Sequence, residues 1–268
     1  MNGHEYRLGY RADLEGLRAM AILLVVAAHA GIPGLAGGFI GVDVFFVLSG
    51  FLITGLLTQE VATTGHIRFI DFYVRRLRRL LPALLVMVLA VVALTFLLLS
   101  PQEQRDQLPA AAMSTVWASN IHFALARLDY FSPGTETNLF LHTWSLAVEE
   151  QFYLVWPALL AWLLGRNNTQ GAVRLKTGMW SVLVASLVAC VLLTRTEPLL
   201  AFYMMPLRAW QFAAGALVCL YLPFRATTRH ADTQTRRHAD IIFLHIAQLA
   251  TLDWLDGAGA GFVARRLV

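Results

Sequence analysis

The sequence predicts an all-α, polytopic membrane bundle of about six spanning helices, and three observations carry that expectation. Of 268 residues, 57% are apolar and only 14% charged, with a mean hydropathy of +0.60, far from the balance of a soluble domain. Six apolar stretches, at 14–32, 38–58, 80–99, 144–164, 177–194 and 207–223, are long enough to cross or nearly cross a bilayer. Basic residues gather in alternate connections between them, which is the pattern of a chain threaded back and forth through a membrane.

The N-terminal arm MNGHEYRLGYRADLEG carries acids and leads into the first stretch without a small-x-small site, so no cleaved leader is expected. Glu15, Arg18 and His29 interrupt that stretch. Arg18 and His29 are eleven residues apart, close to three helical turns. Both therefore share one face, about 16 Å apart along the axis. Ionisable groups at membrane depth are costly and mark function by default. The alternative has Arg18 snorkelling to the head groups and His29 capping the helix near Gly31 and Pro33, and the two readings weigh evenly.

The second stretch holds Asp43 near its start and glycines at 37, 38, 41, 50 and 55 that allow close helix approach. Across the tight 33–37 turn, Asp43 can orient the His29 imidazole as a base, or it can simply be an N-terminal helix charge. The 59–79 connection ends in FYVRRLRRLLPA, where Arg75 and Arg78, or Arg76 and Arg79, are spaced to share a helix face. Such arginine forks suit the phosphates of a nucleotide-bearing cofactor. From charge alone, a lipid head-group anchor is the stronger reading of the same residues.

After the third stretch, residues 100–143 form a long outer connection in which AAAMSTVWASNIHFALA, following Pro109, reads as one re-entrant or surface helix. The fourth stretch opens with HTWSLAVEEQFYLVWP. His142 and Glu149 are two turns apart there and share a face if the helix begins early. The structural alternative is helix N-terminal charge with an aromatic belt of Trp144, Tyr153 and Trp156. The sixth begins FYMMPLRAWQFAAGAL, where Arg208 can hold an anionic group or snorkel. From Phe224 the sequence turns polar and basic, and IIFLHIAQLATL is too short to span, so 225–268 reads as a polar cytoplasmic tail.

Arg7, Arg11, Arg68, the 75–79 cluster, Arg166, Arg174, Lys176 and the tail fall on one side; Arg105, Arg127 and Arg195 fall on the other. The positive-inside rule makes the first side cytoplasmic, with the N-terminus there and the C-terminus returned to it. Net charge is +4, but Lys176 is the one lysine and the arginines line connections, so the charge is topological and no nucleic-acid partner is implied. Cys190 and Cys219 lie inside apolar runs, which suggests packing roles and neither a disulfide framework nor a metal site. Oligomeric state has no signal in the sequence.

Five blocks in order, YRADLEGLRAMAILLVVAAH, GGFIGVDVFFVLSGFLIT, FYVRRLRRLLPA, LHTWSLAVEEQFYLVWP and FYMMPLRAWQFAAGAL, resemble the acyltransferase 3 family of membrane acyltransferases. That family includes bacterial O-antigen and exopolysaccharide O-acetylases. The resemblance implies an Arg-x10-His motif carried by Arg18 and His29, with the histidine essential to acyl transfer, and an Arg-x-x-Arg motif carried by Arg75 with Arg78 or Arg76 with Arg79. It implies transfer of an acyl group, usually acetyl from acetyl-CoA, to a hydroxyl of a glycan or other envelope acceptor. Acyl-CoA is then a donor substrate, no cofactor is tightly bound, and the location is the inner membrane. The resulting expectation places His29, Arg18, Asp43, Glu149 and His142 in catalysis, Arg75, Arg76, Arg78 and Arg79 on CoA phosphates, and Arg208 and Trp144 on substrate.

Two departures stand out. Gln211 occupies a position where the family block commonly has glutamate. Similar proteins also carry more spans than these six, so the tail is read as a truncation or a shifted frame. Two alternatives complete the expectations: a proton-coupled permease or flippase relaying through Arg18, His29 and Asp43, and an inactive acyltransferase fragment.

Overall fold

All six apolar stretches form helices, and the connections between them are shorter and more helical than hydropathy alone implies. The computed structural model describes residues 12–132, 134–165 and 168–221. In order these form α1 (Ala12–His29), a 3-10 turn (Ala36–Phe39), α2 (Ile40–Thr64), α3 (Phe69–Leu98), α4 (Pro101–Thr115), α5 (Ser119–Leu125), α6 (Thr143–Leu164), α7 (Asn168–Thr196), α8 (Pro198–Tyr203) and α9 (Met205–Tyr221). No strand occurs among the described residues. Three segments, Gly37–Thr64, Phe69–Leu98 and Gln170–Thr196, are long and apolar enough to cross a membrane by length and composition. The expected tail at 225–268, Arg7, Arg11 and Arg166 lie outside the described residues.

The 59–79 connection is corrected to four residues. α2 runs on to Thr64 and ends at Gly65, whose φ of 77° is the left-handed conformation that closes a helix. α3 then begins at Phe69, because nothing from 69 to 81 breaks a helix and Phe72, Arg76 and Leu80 recur every fourth residue. The arginine cluster is therefore helical and rides on the N-terminal part of α3.

The outer segment is likewise two helices and not one. Ser100 and Glu103 form a reciprocal capping box that starts α4 at Pro101, well before Pro109. The helix stops at Thr115, Trp117 takes a φ of 52°, and α5 restarts at Ser119. Both pieces are too short to span a bilayer.

α2 is the axis of the bundle, and α9 lies against it backbone to backbone. A Cβ on Gly50 would collide with the Phe212 carbonyl, and one on Gly215 would collide with the Val47 carbonyl. α1 rides on the other side of α2, where Gly38 and Gly41 meet the carbonyls of Leu24 and Ala21. Phe212 stacks between Phe46, at 4.8 Å, and Phe152 of α6, at 4.0 Å. The Trp156 indole N–H donates to Thr54 Oγ1 at 2.9 Å, tying α6 to α2. α7 packs outside α9, and α1, α3 and α7 turn exposed apolar faces outward, through residues such as Leu23, Leu89 and Leu192. The expected aromatic belt is absent, since Trp144, Tyr153 and Trp156 are all buried against α2 and its neighbours.

Because the α2–α9 contact leaves no room for a side chain, Gly215→Val should lower stability by roughly 1–3 kcal/mol or more. Gly16, which has open space around its Cβ, should by contrast accept alanine with no loss. Thermal unfolding of the two variants in the same detergent reads the difference.

Candidate active site

Asp43 enters the bundle one turn into α2 with its side chain facing α9. Arg208, on the first turn of α9, donates from Nη1 to Asp43 Oδ1 at 3.1 Å, and Gln211 Nε2 donates to the same oxygen at 2.7 Å. Asp43, Arg208 and Gln211 are 8%, 6% and 1% exposed. Charges this deep persist only when paired and hydrogen-bonded, and here both conditions hold. Arg208 is fixed further by its Nε, which donates to the Phe202 carbonyl at 2.9 Å, and by the Phe202 ring, 4.9 Å from the guanidinium. Ser186 of α7 clamps the start of α9 by donating to the Pro206 carbonyl at 2.7 Å and accepting from the Trp210 N–H at 3.0 Å. The Arg208 side chain is therefore held inside the bundle and does not snorkel.

His29 is the last residue of α1. Its Nδ1 lies 2.7 Å from the Val25 carbonyl, and its Nε2 lies 2.9 Å from the Tyr130 hydroxyl. A carbonyl can only accept, so Nδ1 carries a proton; in the neutral imidazole Nε2 then presents a lone pair, to which Tyr130 donates. Burial raises the Tyr130 phenol above its ordinary range and keeps it a donor. The backbone of α1 thus sets the tautomer of His29, where Asp43 was expected to do so. Asp43 is occupied by Arg208 and Gln211, and Glu149 lies deeper.

His29, Asp43, Trp144 and Arg208 nevertheless line one narrow, open-mouthed cleft, together with Tyr130, Phe202, Phe39 and Val42. Four of the expected site residues are brought together there. His142, immediately before α6, stands close enough to feel His29: desolvation first, and the neighbouring imidazole second, hold it below the usual histidine range.

The remaining expected residues fall elsewhere. Glu149 accepts hydrogen bonds from the Ser49 and Tyr153 hydroxyls, in the middle of the bundle, so it shares no contact with His142. Arg18 is three turns from His29 on the face of α1 that meets α2, with Glu15 Oε1 3.7 Å away. Arg75, Arg78 and Arg79 are exposed near the opposite end of the bundle. Arg76 parts from them and turns inward, its guanidinium 3.2 Å from the Tyr153 ring centre and 3.8 Å from Glu150. Together these side chains form a polar line: exposed arginines, then Arg76 with Glu150, then Tyr153 with Glu149 and Ser49. Asp43 lies six residues back along α2 from Ser49, about 9 Å.

Sequence reasoning missed Tyr130, Phe202 and the pairing of Gln211 with Asp43. Tyr130 sits in the outer segment, where neither charge nor periodicity marks it. Gln211 was visible only as a departure from the family block.

The fold and cleft define a polytopic helical membrane protein with an imidazole lone pair presented beside a buried, carboxylate-paired arginine. The chain belongs to the acyltransferase 3 family, whose acyltransferase domain profile matches residues 11–249 and so runs past residue 224. It is 34% identical over 220 residues to the peptidoglycan O-acetyltransferase OatA of Listeria monocytogenes, covering 82% of this chain and 35% of that protein. It is 39% identical over 170 residues to the O-acetyltransferase OatA of Staphylococcus aureus, covering 63% of this chain and 28% of that protein. The chain thus spans about a third of the length of these relatives. No solved structure matches it.

Removing Arg208 leaves Asp43 buried without its cation. Arg208→Ala should therefore destabilise the protein by about 3–5 kcal/mol. Adding Asp43→Asn should return much of that loss, and thermal unfolding of the single and double variants in detergent checks both.

Proposed function

We propose that this chain is the membrane part of an O-acyltransferase that moves an acetyl group from acetyl-CoA to a hydroxyl of a cell-wall glycan. The observation that carries the reading is the fixed tautomer of His29, whose Nε2 lone pair faces a cleft lined by Arg208. A base with its other nitrogen pinned by a backbone carbonyl is prepared to take a hydroxyl proton without reorganising. The peptidoglycan in the name of the Listeria relative supplies the acceptor class.

In this mechanism the acceptor hydroxyl gives its proton to Nε2 as its oxygen attacks the thioester carbonyl. The Arg208 guanidinium, fixed by Asp43 and Phe202, is the cation nearest the oxyanion that forms. Collapse of the tetrahedral intermediate breaks the C–S bond, and the thiolate recovers the proton from Nε2. No net proton is consumed, so no relay to bulk water is required.

The donor is assigned to the other end. Arg75, Arg78 and Arg79 offer exposed forks for the phosphates of CoA. The basic side of the chain is cytoplasmic by the positive-inside rule, which places the His29 cleft toward the outer face of the inner membrane, where the glycan is. A permease needs neither a fixed base tautomer nor a phosphate-sized arginine cluster, so the acyl-transfer reading accounts for more of the residues.

His29→Ala should reduce acetyl transfer by about 10²–10⁴-fold with little change in thermal stability, since the side chain is exposed at the cleft mouth. Arg75→Ala with Arg78→Ala should raise KM for acetyl-CoA roughly tenfold with a smaller change in kcat. Steady-state assays with labelled acetyl-CoA in nanodiscs measure both; full activity in His29→Ala would remove the assignment.

A further inference from the structure

A neutral imidazole has one lone pair, and in this structure Tyr130 has it. Its hydroxyl donates to His29 Nε2 at 2.9 Å, and no other side chain of the described residues hydrogen-bonds that nitrogen. An acceptor hydroxyl that is to lose its proton to His29 must donate to the same lone pair along the same direction. The two hydroxyls cannot be there at once. We infer that Tyr130 holds the place of the acceptor hydroxyl on His29 and keeps water from that nitrogen until an acceptor displaces it. The inference rests on the acyl-transfer reading for its purpose, but the contact itself does not.

The surroundings fit a replaceable occupant. Tyr130 lies in the outer segment between two firm anchors. On one side Asn120 donates to the Tyr203 carbonyl at 2.9 Å; on the other, Gln107 donates to the Thr137 carbonyl and accepts from the Leu139 N–H, each at 2.9 Å. Between those ties Tyr130 is placed by aromatic contacts, at 5.4 Å from Phe202 and 6.0 Å from Trp144, and by a hydrogen bond that its phenol oxygen accepts from the Trp144 side chain. Ring contacts of this kind are worth only about 0.5–1.5 kcal/mol each and can be exchanged for the face of a sugar. His29 is exposed at the cleft mouth, so without the phenol its Nε2 is open to water. Water at that nitrogen would attack a bound thioester, breaking the C–S bond and giving a free carboxylic acid and a thiol. A hydroxyl that yields only to an acceptor suppresses that loss.

Tyr130→Phe keeps the ring and removes the hydroxyl. The first readout is carbethoxylation of His29 by diethyl pyrocarbonate at neutral pH, followed by mass spectrometry on the full chain in nanodiscs. It is expressed as a ratio to His66, which is exposed at the far end of α2. That ratio cancels any general change in accessibility and needs no activity. It should rise roughly three- to tenfold, the equivalent of one lost hydrogen bond. An unchanged or lower ratio would overturn the proposal. The second readout is hydrolysis of acetyl-CoA without acceptor, which should rise by a similar factor in Tyr130→Phe; a rise in carbethoxylation with no rise in hydrolysis over an active wild type would overturn the guarding role. If carbethoxylation rises and neither protein turns over acetyl-CoA, the contact stands and the acyl-transfer reading fails.

Discussion

A carboxylate and a guanidinium can lie buried between α2 and α9 only because those two helices touch along their backbones. Gly50 and Gly215 bring the axes close enough for Arg208 and Gln211 to reach one oxygen of Asp43. A wider spacing would leave the same groups to find water inside an apolar bundle, at a cost of several kcal/mol per ion. The rest of the site follows from this contact. Arg208, held from one side by Asp43, is held from the other by the Phe202 carbonyl, and that carbonyl places the aromatic rings that enclose Tyr130. α1 takes its position from the same helix, through Gly38 and Gly41, so the end of α1 delivers His29 to the cleft.

The bundle therefore has two chemically different ends joined by a thin polar core. One end presents exposed arginines on α3. The other presents an imidazole whose tautomer is set by its own helix. Between them, Arg76, Glu150, Tyr153, Glu149 and Ser49 link α3, α6 and α2 by hydroxyl, carboxylate and cation–π contacts. In a low-dielectric interior each of these groups needs its partners, so the line is also what ties α3 to α6. The proposed reaction uses these two ends to meet a charged donor on one side of a membrane and the acceptor on the other.

Much of this was legible in the sequence because membranes restrict the choices. Apolar runs of about twenty residues must be helices, and all six are. Three of the ionisable residues that interrupt them, His29, Asp43 and Arg208, converge on one cleft, whereas Arg18 and Glu149 lie elsewhere. Partnerships were not legible. Asp43 is nearer His29 in sequence than Arg208 is, yet it faces α9, because glycines that seemed generic in fact fix which helix lies closest. Glu149 shares a helical face with His142 by spacing alone, but the rotation of α6 turns it to Ser49. The arginines of 75–79 were spaced in two equivalent pairs, and only packing against Tyr153 separates Arg76 from the others. Tyr130 left no trace, since a tyrosine in an irregular segment has no period to betray which way it points.

In the proposed reaction, donor and acceptor meet from opposite faces of the bilayer. Inside-out vesicles carrying the protein, with glycan acceptor sealed in the lumen and acetyl-labelled CoA added outside, test it directly. Transfer across the bilayer should put label on the enclosed glycan while CoA remains outside. Label appearing only when acceptor and donor share the outer compartment would contradict it.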